Sequence, residues 1–250
     1  MTPRRLPPIA ALALAATTLL GIGSGAPTTT ASGWSAPHEV VLGSAAPTAG
    51  ASYRFSSTLD GKPVRWDPCT AIHWQFSAGG GPRGGLEVVA SAVARVAAVT
   101  GTHWEYDGAV GTAPGSSWLP GSPAGARPVL IGWSDAAHSD LLRGRPGQVL
   151  GVTRTAWFGT DDHQGHRLAA LRAAVVVLDR TDPLPLTGRA SWKAVALHEL
   201  GHVMDLDHVS DGRQLMAPVL PRGLSDYSAG DLAGLRRLGR SAGCVSVPGV

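Results

Sequence analysis

The stretch His198-Glu199-Leu200-Gly201-His202-Val203-Met204-Asp205-Leu206-Asp207-His208 decides the reading of this chain. Ser191 is a suitable N-cap, and the apolar pattern that follows predicts a helix from about 191 to about 205. At ~100° per residue, positions 198 and 202 lie only ~40° apart, so both imidazoles project from one face and can share a metal ion. Glu199 then lies beside that face, within reach of water at the metal. A straight helix would carry His208 ~280° away from His198, so His208 can join only if the chain turns sharply after Met204.

With nine His in 250 residues, and Glu only at 39, 87, 105 and 199, this pattern arises by chance in roughly two of ten thousand such sequences. The same scarcity excludes a Glu from a downstream helix as the third ligand. Asp205, Asp207, Asp211, Asp226 and Asp231 remain conceivable oxygen donors, and His208 is the better candidate. A metal site with His198, His202 and His208 as ligands and Glu199 as catalytic base is the expectation.

Working outward, Leu232, Leu235 and Leu238 predict a last helix over about 228–239, with Ser228 and Asp231 at capping-box spacing. Upstream, Ile72, Trp74 and Phe76 alternate as in a strand, and Leu86, Val89, Val93 and Val96 recur at helical spacing until Gly101. Strands are expected at 103–107, 129–133 and 149–158, separated by loops rich in Pro and Gly. The run Ala173 to Leu178 is apolar on both faces and belongs in the middle of a covered sheet. The order implies an α/β sandwich with a mostly parallel sheet.

The chain starts with Arg4 and Arg5, an apolar run from Ile9 to Leu20, and small residues around Ser24, Ala26 and Ala31, which reads as a signal peptide over 1–31. The run is shorter than the ~20 residues a membrane-spanning helix needs. A secreted product with no membrane attachment is therefore expected. Losing the two arginines takes the formal charge from +3 to +1 (3 − 2 = 1), and the only lysines are Lys62 and Lys193, so no nucleic-acid partner is expected. Residues 32–60 are rich in Ala, Ser, Thr, Gly and Pro and predict a flexible segment, leaving 61–250 as one domain. Cys69 and Cys244 should pair in an oxidising compartment.

The run from His198 to His208 resembles the long zinc motif of the metzincin peptidases, and of matrixins in particular. Gln214-Leu-Met216-Ala-Pro218 is similar to their Met-turn, and Pro63-Val-Arg-Trp-Asp-Pro-Cys69 with Gly243-Cys244 resembles secreted bacterial matrixin-type proteins. The resemblance covers about 61–244 and implies an α/β (α+β) metzincin-like fold: a five-stranded twisted sheet, an active-site helix, a Met-turn at Met216 and a C-terminal helix. It implies one catalytic Zn2+, protein or peptide substrates and a monomer. It also places Ala194, Pro218, Val219 and Leu220 around a substrate pocket that would prefer a medium to large apolar residue after the cut.

Three departures stand out. The family's Gly at the helix stop is Asp205, one of the few other residue types enriched in left-handed backbone. A Tyr found after the Met in some branches is Pro218. The cysteine switch of matrixin propeptides is not present. His138, Asp140, His163 and His166 are faintly similar to structural-zinc ligands, and calcium stays open. The alternative to a peptidase is a zinc-stabilised secreted binding protein with weak or no turnover.

Overall fold

The computed structural model describes residues 31–42, 52–122, 125–144, 149–161, 164 and 166–247. The expected signal peptide lies outside them, apart from Ala31. The strands are β1 (Ala31–Trp34), β2 (His38–Leu42), β3 (Arg54–Phe55), β4 (Thr58–Leu59), β5 (Lys62–Pro63), β6 (Ile72–Ser77), β7 (Trp104–Ala109), β8 (Val129–Ser134), β9 (Val149–Asp161), β10 (Arg167–Asp179), β11 (Leu206–Asp207) and β12 (Val219–Leu220). The helices are α1 (Gly85–Thr100), α2 (Trp192–Val203) and α3 (Ala229–Leu238). None is long and apolar enough to cross a membrane.

One eight-stranded sheet runs in the order β12-β2-β9-β10-β8-β6-β7, with β1 also on β9. The α/β class is as expected, but the mostly parallel five-stranded sheet is corrected to a larger mixed one. β7, β6, β8 and β10 are mutually parallel, whereas β9 runs antiparallel to β10, β1 and β2. The reason was legible in the connection. Only five residues, 162–166, join β9 to β10, and a parallel crossover needs about a dozen or more.

The second correction concerns residues 32–60. Composition predicts a flexible segment, yet β1 and β2 pair along β9, and β3 pairs with β11 within the His198–His208 stretch. Backbone hydrogen bonds make these pairings, and they need no apolar side-chain signature, so a run of Ser, Gly and Ala can join a sheet.

On β10, Ala174, Val176 and Leu178 face the three helices, while Ala173, Val175 and Val177 face Leu119 from the connection between β7 and β8 and Leu141 and Leu142 from that between β8 and β9. All six of these strand residues are buried, as the two-sided apolar run requires. α2 is buried nearly all round, so it can hold polar side chains only where they find partners. Cys69 and Cys244 form a disulfide with a Cα separation of 5.4 Å, closing a span of 175 residues. In the chain-entropy account such a bond stabilises by about 2–5 kcal/mol.

Candidate metal centre

Ser191 caps α2 as expected, its hydroxyl accepting from Ala194 N at 3.4 Å. The helix ends at Val203, and Asp205 takes φ 83°, the left-handed turn that the motif needs to bring His208 back. A non-glycine residue there is strained, and Asp205 is tied down by its neighbours. Its carbonyl accepts from Ser56 N at 2.9 Å and its Oδ2 from Ser57 N at 3.1 Å. Burial pushes this carboxyl well above the usual carboxylate range. Trp66 Nε1 donates to Val203 O at 2.8 Å, so the Pro63–Cys69 segment also fastens the helix end.

The turn carries His208 onto the other two histidines. The three Nε2 atoms lie 3.0 Å (His198 to His202), 3.1 Å (His202 to His208) and 3.2 Å (His198 to His208) apart. The far sides of two rings are fixed: His198 Nδ1 donates to Leu215 O and His202 Nδ1 to Leu206 O, both at 2.7 Å. That tautomer leaves the Nε2 lone pairs facing one another. Three acceptors at this spacing repel unless a cation sits among them. A point ~1 Å out of their plane is ~2.0–2.1 Å from all three nitrogens, the distance zinc requires. Burial holds the imidazoles of His198 and His202 far below the usual range and that of His208 down to about 4, so all three are neutral ligands at neutral pH. The residues present therefore fit a zinc ion.

The support beneath the rings comes from Leu215 and Met216. Leu215, whose carbonyl orients His198, and Met216 both donate their backbone N–H to Asp231, at 2.7 and 3.2 Å. Asp231 is thus no oxygen ligand. It completes the α3 capping box with Ser228 and clamps the turn to the helix. Met216 is buried directly against α2: a Cβ at Gly201 would lie 2.4 Å from Met216 Sδ. The Gly in the motif is what lets the thioether approach.

Glu199 packs against β9, and none of it is exposed. Thr153 Oγ1 donates to its Oε2 at 2.6 Å, while Oε1 is buried with no partner among the described residues. Gly151 makes the space, since a Cβ there would lie 2.7 Å from Oε1. Burial pushes the carboxyl up to about 8, opposed by the Thr153 hydrogen bond and aided by Glu39. A carboxyl poised near neutrality with one free oxygen is suited to carrying a proton.

Other expected site residues are placed as follows. Ala194 is fully buried in the core one turn before His198. Val219 and Leu220 form β12, which with Pro218 lies along β2 and not along an open pocket. His138 binds Asp135 at 2.6 Å, Asp140 accepts from Ser116 N at 2.9 Å, and His166 is exposed. These three do not converge among the described residues, and His163 lies outside them. A cleft of about 590 Å3 lined by Lys62, Arg65, Arg167 and Cys244 shares no residue with the histidines.

Sequence reasoning missed His38, Thr153 and Gly151. The first lies in a segment set aside on composition, and nothing in the motif points to the other two. His38 stacks on His202 with ring centroids 4.4 Å apart, and ligand atoms of His38, His202 and His208 lie within 4.8 Å of one another. No protein-family model matches the chain, and no curated protein matches its sequence.

Proposed function

We propose that this chain is a secreted zinc-dependent endopeptidase of metzincin-like architecture. The observation that carries the reading is the convergence of three neutral imidazoles, two of them oriented by backbone carbonyls, beside a buried carboxyl with one unused oxygen. A structural zinc site has no need of Glu199. Zinc, when bound, supplies a Lewis acid that polarises the scissile carbonyl and lowers the pKa of water at the site toward ~7.

The remaining steps belong to the chain. Glu199 Oε1 accepts the proton of the attacking water, with Oε2 held by Thr153 so that the free oxygen keeps its aim. The same oxygen then passes the proton to the leaving amine, giving a carboxylate product and a free amine. Asp231 keeps the Leu215 carbonyl in place and so fixes the tautomer of His198. A peptide taking the place of β2 would meet Pro218, Val219 and Leu220, an uncharged border for the residue on the leaving side, where a charge would lose its water without gaining a partner, while Ala194 belongs to the core. The disulfide supports an oxidising destination, and therefore export.

Casein digestion tests this reading. Cleavage should stop with a chelator and return with zinc, and Glu199→Gln should keep its zinc while turnover falls by about 10²–10⁴-fold. Zinc-loaded protein that cleaves nothing, both as the native chain and with His38 replaced by Ala, would overturn it.

A further inference from the structure

The edge of β9 beside the histidines is filled by the chain itself. β2 runs antiparallel to β9, with His38 opposite Thr153, Glu39 opposite Val152 and Val40 opposite Gly151. On its other side β2 runs parallel to β12, Val41 N donating to Pro218 O at 3.1 Å, with Val41 and Leu42 opposite Val219 and Leu220. β1 continues along β9 from Ala31 opposite Gly159 to Trp34 opposite Ala156, and Ser35 N donates to Thr155 O at 2.9 Å. Without residues 31–42, β9 would present thirteen residues of open edge, and β12 would face it across a slot one strand wide. Such a slot takes an extended peptide through main-chain hydrogen bonds.

The strand also delivers a side chain to the metal centre. His38 is opposite Thr153, the residue that holds Glu199. Its ring lies flat on His202 and edge-on to His208, at 4.4 and 6.0 Å between centroids. Asp207 Oδ1 lies 3.7 Å from His38 Nδ1 and itself accepts from the backbone N of His208 at 2.8 Å, so one carboxylate joins the His38 ring to the segment that carries His208. A catalytic zinc keeps its fourth position open for water, and a ring packed over that side keeps water and substrate away from it.

We propose that residues 31–42 are a built-in inhibitory segment: β2 occupies the substrate slot between β9 and β12, and His38, stacked on His202, covers the open side of the ion that His198, His202 and His208 would hold. The inference rests on the peptidase reading. The strand lies as a substrate would, paired through its backbone on both sides, but it places an imidazole where the scissile carbonyl has to go. Activity then requires that β2 leave the slot.

The test uses the full chain loaded with cobalt(II) or zinc, as wild type, His38→Ala and Val41→Pro. The proline removes the N–H that donates to Pro218 O and alters no metal-binding residue. The visible absorption of the cobalt protein should change in both variants as water gains the position that the ring covers. Cleavage of an apolar peptide by the zinc protein should rise at least tenfold in each. An unchanged cobalt spectrum in His38→Ala overturns the proposal whatever the activity. Equal cleavage by all three chains overturns the inhibition and leaves the peptidase reading standing. No cleavage by any chain, despite a changed spectrum, fells the peptidase reading and the inhibition with it.

Discussion

The helix-and-turn from His198 to His208 and the strand from His38 to Leu42 both supply imidazoles to one small volume, but by different physics. The first three histidines meet because eleven consecutive residues contain a helix, a left-handed stop and a return, all encoded locally. His38 arrives from 160 positions before His198 through backbone pairing with β9. Its neighbours Pro37 and Glu39 give no hint of the destination. A local motif can be recognised in isolation, whereas a strand that completes a sheet is known only when its partners are known.

The largest expected effect separates the two regions. His202→Ala should weaken zinc binding by more than the ~10–100-fold that changes beyond the ligands themselves cause, and should abolish the rise in melting temperature that zinc confers. His38→Ala should leave most of that rise in place. Titration with a competing chelator measures both, and equal losses would mean that the site is a four-histidine unit with no subordinate member.

A smaller effect sharpens the comparison through Glu199, whose carboxyl is raised from an ordinary 4.5 to about 8, chiefly by burial and further by Glu39 on β2. A raised acid favours the folded state fully below pH 4.5, and this contribution is lost as pH rises through about 8. The stability advantage of metal-free Glu199→Gln over wild type should therefore widen from pH 5 to pH 8 and then level off. In a Val41→Pro background the gap should narrow, because water reaches Glu199 once β2 is displaced. Denaturant melts across this range check it, and a gap that ignores both pH and the proline would show that β2 does not seal the carboxyl.

The smallest effect lies wholly within the local motif. Gly201→Ala places a methyl 2.4 Å from Met216 Sδ, and overpacking of this kind costs about 1–3 kcal/mol. It should lower stability without altering the shape of the pH profile of cleavage. A change in that profile would mean that Met216 controls the electrostatics of the ion as well as the packing beneath it.

By itself the sequence determined what local periodicity and capping can carry. The Ser191 cap, the shared face of His198 and His202, the turn at Asp205, the capping box of Ser228 and Asp231, and the two-sided burial of Ala173 to Leu178 all follow from residues a few positions apart. The pairing of Cys69 with Cys244 was legible because only two cysteines exist. Tertiary structure alone decided which strands neighbour β9, that His38 reaches the centre, and that Thr153 and Gly151 hold Glu199. The physical reason is that helix geometry relates side chains along one segment, while sheet order depends on N–H and C=O groups that every residue carries alike. Those groups leave no mark in the amino-acid sequence, so the strand that fills the slot had to be seen in place.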